Sequence, residues 1–205
     1  MNQLQDYLLG SIWYREPIVN PYQVISDFFF DADVKTYRKI VKAMMFAASK
    51  EEIYAKSSPS ELLHNVEMLE SLINAAYLIN SQDRHSPVQI SDQDLFNPDL
   101  FRDVNNALSD WANFPRALSL KEYKNPYLAI RRFFEVMELS SWKSALKEIL
   151  DFALSEYSIY DDDNDIDCLS VYIYLTKLIE SAHLIEVREI NRIRGSVKIT
   201  VKTES

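Results

Sequence analysis

The residues whose types and spacing come closest to doing chemistry are the acids of one short run, Asp161-Asp162-Asp163-Asn164-Asp165-Ile166-Asp167. Asp161, Asp163, Asp165 and Asp167 stand at the first, third, fifth and seventh positions of a calcium loop, where carboxylate oxygens surround a hard cation. Two positions break the pattern. The sixth needs Gly for a sharp turn and is Ile166; the twelfth needs a bidentate Glu and is Tyr172. The run reads instead as a solvated loop ahead of a helix, whose dipole favours negative charge at its start. These four aspartates are the only metal candidates, and neither a metal nor a cofactor is expected.

Other reactive groups are scattered. His64, His85 and His183 have no ligand spacing. Cys168, the single cysteine, falls on an apolar helix face and reads as a buried structural thiol. Glu67 and Glu70 lie one helical turn apart, with no basic neighbour to split their roles into acid and base. The chain has only two glycines, Gly10 and Gly195, so no GxGxxG, GxxxxGK[ST] or GxSxG can be written. No catalytic residue is assigned.

Composition narrows the class. The 205 residues are 47% hydrophobic and 26% charged, enough apolar content for a packed core. The net charge of -9 opposes binding to a nucleic-acid backbone. A cationic tail over residues 187–205 reads as lying against an acidic body. The start, MNQLQDYLLGSIWYREP, lacks a basic n-region, and no uninterrupted apolar run reaches membrane-spanning length. A cytoplasmic protein that binds neither membrane nor nucleic acid is expected.

An internal repeat organises the positions. Asn20-Pro21-Tyr22 aligns with Asn125-Pro126-Tyr127, and with one gap at Asp151 the register holds to Ile79 over Ile185, with 19 identities in 60 positions. Each copy reads as three helices. Asn before Pro is a start signal, because Asn caps free amides and Pro has none to lose. Asn20, Ser58, Asn97 and Asn125 are therefore the expected caps, with Asp33 opening a second helix and Ser58-Pro59-Ser60-Glu61 forming a capping box. The third helix of the second copy should start near Asn164. A further helix is expected from Asn97-Pro98 to about Trp111. The segments are thus 1–19 as N-terminal stretch, 20–90 as first repeat, 91–124 as connection, 125–185 as second repeat and 186–205 as C-terminal strand or tail.

Val197, Ile199 and Val201 alternate with polar residues, which predicts a strand pairing near residues 186–193, with Val88 to Ile90, or with another chain. The stretch Val171 to Leu175 is apolar nearly all round, which predicts a helix buried centrally between the repeats.

The repeated pattern, NPYQVISDFF with AYLI and NPYLAIRRFF with AHLI, resembles a family of bacterial all-helical proteins of unknown function. The resemblance implies a helical fold and carries no site residues. A second comparison is with helical HEPN ribonucleases and their toxin relatives, which need an Arg followed four to six residues later by His. No Arg stands so before His64, His85 or His183. The expected fold is all-α with minor β, two tandem three-helix repeats in one body. The expected function is a non-catalytic protein-interaction or regulatory module, with an unidentified protein partner or a second copy of the chain. The alternative is an RNA-acting enzyme or toxin-system component lacking the usual catalytic motif.

Overall fold

The computed structural model describes residues 17–82, 87–102, 110–161, 166–193 and 196–199. The chain is mostly helical, with seven α-helices among the described residues. The first is α1, Pro21–Asp31, where Asn20 Oδ1 accepts the Tyr22 N–H at 3.0 Å and Pro21 takes the position with no amide to satisfy. Its Tyr22, Ile25, Phe28 and Phe29 are buried. Helix α2, Val34–Ala48, is capped by Asp33 through the Thr36 N–H at 2.7 Å. Helix α3, Pro59–Asn80, starts at Ser58, whose hydroxyl accepts the Glu61 N–H at 3.2 Å.

Residues 91–124 differ from expectation. The helix expected from Asn97 to Trp111 is a three-residue 3-10 turn, Pro98–Leu100, capped by Asn97 through the Asp99 N–H; residues 103–109 lie outside the described residues. Tertiary hydrogen bonds account for the difference. His183 Nε2 meets the Phe101 carbonyl at 2.8 Å and Arg188 Nε donates to the Leu100 carbonyl at 2.7 Å, so carbonyls that a helix would use are committed elsewhere. Helix α4, Leu120–Lys124, follows. It carries a complete capping box, Ser119 with Glu122.

Helix α5, Tyr127–Val136, begins beside Asn125, whose Oδ1 accepts the Tyr127 N–H at 3.2 Å. Helix α6, Leu139–Ala153, runs unbroken through Asp151. Helix α7, Cys168–Glu189, is capped by Asp167, which accepts the Leu169 and Ser170 N–H groups at 3.1 Å. It therefore starts later than the expected Asn164, which lies outside the described residues. After α7 the backbone of β1, Ile190–Ile193, pairs antiparallel with β2, Ser196–Ile199, placing Ile190 opposite Ile199. Val88 to Ile90 form no strand.

Packing mixes the two halves of the chain. Helices α1 and α5 each pack on both α3 and α7, while α2 packs on α6 and α7, and α3 on α6. One core cluster accordingly holds residues of both halves, from Tyr22 and Leu72 to Trp142 and Leu175. The same contacts recur at matched places. Phe28 stacks on Tyr37 and Phe133 on Trp142, each pair with ring centroids 3.8 Å apart. The Tyr37 hydroxyl donates to the Phe28 carbonyl, and Trp142 Nε1 to the Phe133 carbonyl. Each donor satisfies the polar tip of a ring whose body lies in the core. By length and composition α7 is long and apolar enough to cross a membrane, yet 67% of its most apolar window is buried inside the fold. Its C-terminal half is enclosed, whereas Leu169 and Ile173 near its start are exposed.

Candidate functional site

The residues of α2 that face away from the core form a basic row. Between Val34 and Lys50 the sequence has five cations and no acid: Lys35, Arg38, Lys39, Lys42 and Lys50. Lys35, Lys39 and Lys42 recur at helical spacing, so the helix lines them along one side. They are exposed, and none has a carboxylate within ion-pair distance among the described residues.

Arg38 is the exception. Its guanidinium donates to Glu180 Oε1 at 2.8 Å, to the Phe114 carbonyl at 3.0 Å and to the Ala112 carbonyl. Glu180 is completely buried on α7 and also accepts the backbone N–H groups of Arg116 and Ala117, at 2.9 and 2.8 Å. A buried carboxylate is tolerated when its oxygens are filled by charge-assisted donors. This clasp ties residues 112–117 over the junction of α2 and α7. It also sets the exposed Arg116 side chain at the edge of a cavity of about 400 Å³, lined by Lys35, Lys39, Lys42, Tyr172, Ile173 and Thr176 among others.

Two further cavities continue along the same face. One, about 520 Å³, lies between α2 and the loop after it, with Phe46, Ile53, Tyr54 and Lys56 in its walls. The other, about 260 Å³, is bounded by Phe46, Tyr160, Leu169 and Tyr172. Phe46 forms the ridge between them and is 55% exposed, with Lys50 Nζ 3.9 Å above its ring. Ile53, Leu169 and Ile173 add further exposed apolar surface. The face therefore combines apolar anchors with unpaired cations, on a chain of net charge -9.

The expected metal candidates do not form such a place. Asp163 and Asp165 lie outside the described residues. Asp161 accepts the Ser158 N–H at 2.9 Å, and Asp167 caps α7. The Ser170 hydroxyl and N–H hold the Asp167 carboxyl below the usual range. No group of three His, Cys, Asp or Glu that could hold a metal occurs among the described residues. His183 is buried with its ring against Phe29, His64 sits 3.5 Å from Asp31, and His85 lies outside the described residues. Cys168 is buried, and burial pushes its thiol up despite hydrogen bonds with Ser49 and Tyr160.

Two polar clusters are structural. Tyr22 and Tyr127, the tyrosines of the two NPY motifs, share a hydrogen bond, and the Tyr127 hydroxyl donates to the buried Glu189. Burial raises both phenols and Glu189. On α4, Glu122 accepts from Arg132 at 2.9 Å and Lys177 at 3.1 Å. The Phe46 face was legible only as the acid-free stretch from Val34 to Lys50; chain-wide charge and the cationic tail hide it. No protein-family model matches the chain, and no curated protein or solved structure is detectably similar to it.

Proposed function

We propose that this chain is a non-catalytic protein-interaction module of the cytoplasm, built from two copies of one three-helix unit and closed by a C-terminal hairpin. Supporting the duplication, α2 and α6 have 15 residues each and α3 and α7 have 22 each, and the stacked ring pairs occupy matched places. The β1–β2 pairing supports the hairpin.

The working surface is the Phe46 face. The observation that carries it is the pair of cavities on either side of an exposed Phe46, lined by Lys39, Lys42 and Lys56 against a single acid, Glu52, with Lys50 over the Phe46 ring. Grooves of this kind accept an amphipathic helix, whose apolar side chains enter the cavities. The lysine rim selects a partner helix with acidic flanks, because complementary charge steers encounter and rejects like-charged segments. Truncating a central aromatic anchor costs more than truncating rim contacts.

The test is affinity purification of the full chain from nuclease-treated native cells, beside a Phe46→Glu variant of unchanged melting temperature. Cross-linking then locates the contact. The reading expects an acidic segment cross-linked to Lys39, Lys42 or Lys56 and lost with Phe46→Glu. Cross-links that persist in the variant, a partner that disappears on nuclease treatment, or a self-association that accounts for all cross-links each overturn it.

A further inference from the structure

The cavity beside Arg116 has an internal counterpart that shows what is unusual about it. Taking the two-copy reading as given, the α2–α7 groove corresponds to the α6–α3 groove. Lys35, Lys39 and Lys42 of α2 then match Ser140, Ser144 and Lys147 of α6, and Ile173 and Thr176 of α7 match Glu67 and Glu70 of α3. Both sets line cavities in the structure. The α6–α3 groove is an ordinary mixed-charge packing surface, with Lys143 Nζ on Glu70 at 2.7 Å. In the α2–α7 groove both of those acids are replaced by uncharged residues, two serines are replaced by lysines, and Arg116 is added from the connecting segment. The one carboxylate in its lining, Glu180, is consumed by Arg38 and two backbone amides.

What remains is four cations, Lys35, Lys39, Lys42 and Arg116, around a cavity of about 400 Å³. Helical spacing holds the three ammonium groups in a row, and the Glu180 clasp fixes the backbone from which Arg116 projects. Thr176 donates its hydroxyl proton to the Tyr172 carbonyl at 2.7 Å and presents only lone pairs, so binding falls to the cations. Closely spaced like charges repel, and a ligand with several adjacent negative charges relieves that repulsion. Tyr172, Ile173, Ala112 and Ala117 supply an apolar wall beside the charges.

We propose that the groove of Lys35, Lys39, Lys42 and Arg116 is a binding site for a compact oligophosphate group, free or as the triphosphate of a nucleotide. Arg takes phosphate oxygens in a planar fork and lysines act as point charges along the chain of phosphates. The apolar wall is placed to favour the nucleotide over the free ion.

The experiment is calorimetric titration of the full chain with sodium tripolyphosphate, with ATP, and with a single-stranded decanucleotide, in magnesium-free buffer at low and at moderate salt. The expected result is saturable 1:1 binding of tripolyphosphate that weakens with salt, with ATP binding at least as tightly. Lys35→Ala and Arg116→Ala should each weaken it by roughly tenfold, the loss of one charge-assisted contact. Lys147→Ala in the counterpart groove should leave it unchanged. Tripolyphosphate tighter than ATP identifies the free ion as the source; the reverse identifies the nucleotide. Absence of saturation, equal weakening by Lys147→Ala, or binding of the decanucleotide alone overturns the proposal. Lys35 and Arg116 line neither cavity beside Phe46, so loss of anion binding and loss of the protein partner are read separately.

Discussion

The Tyr54 N–H donates to the Ala153 carbonyl at 2.8 Å, and the Ile159 N–H returns the bond to the Ala48 carbonyl at 2.9 Å. The end of each 15-residue helix thus receives an amide from the loop that follows the other. Together with α2 packing on α7 and α3 on α6, this makes each half of the chain complete the core of the other. A chain broken between residues 102 and 110 should therefore give two fragments that co-purify as a 1:1 complex with near-native helix content. Each fragment alone should lack a cooperative melt, because its α3 or α7 would expose a face the other half covers. Two independently folding fragments would contradict the exchanged packing.

Arg38 and Glu180 should behave as one unit. Glu180→Met strands the guanidinium and two backbone amides, and Arg38→Met leaves a buried carboxylate short of its main counter-charge. Each should cost about 3–5 kcal/mol in urea unfolding, the usual penalty for breaking a buried pair from one side. The double variant Arg38→Met with Glu180→Met should lose less than the sum of the singles, with a coupling of about 1–3 kcal/mol. Additive losses would show that the two side chains stabilise the fold independently.

Helix starts were legible because their causes are local. Asn20, Asp33, Ser58 and Asn125 each accept an amide within three residues, and the apolar stripes after them, such as Tyr37, Val41, Met44 and Ala48, are buried. Residues 91–124 were not legible, because their conformation is set from afar. His183 and Arg188 claim the Phe101 and Leu100 carbonyls from positions more than eighty residues away in sequence. The full capping box fell at Ser119 and Glu122, where a connecting loop was expected, and Ser58 made only its own half. The candidate site has the same origin. Its lysines could be read from α2, but their cavity exists only because α7 and residues 112–117 are brought against them.

The caps give a graded prediction. Asn20→Ala and Asn125→Ala should each destabilise by about 1 kcal/mol, the loss of one satisfied amide at the start of a long helix. Asn97→Ala should cost roughly half as much or less, because it caps only the three-residue turn Pro98–Leu100 and not a propagating helix. Thermal or urea melts of the three variants check the order. An Asn97 effect as large as the others would mean that this turn carries more of the packing than its bonds indicate.

Glu122 sets a pH dependence whose sign follows from its surroundings. Burial alone would raise its carboxyl, but the Ser119 N–H and hydroxyl, Lys177 and Arg132 outweigh it and bring the group from 4.5 to about 2. A folded value below the unfolded one gives stability that is fully present above pH 4.5 and drains away as pH falls toward 2. The contribution is on the order of 2–3 kcal/mol at neutral pH. Glu189 has the opposite sign: burial raises it in the folded state, so it weakens the fold as pH rises through its folded value. Urea unfolding from pH 6 to pH 2.5 should therefore show Glu122→Gln less stable than wild type at the top of the range, with the gap closing below pH 4. Glu189→Gln should instead gain on wild type toward the top. A Glu122→Gln gap that stays constant across the range would assign its effect to shape and hydrogen bonding, and remove the carboxylate's charge from the account.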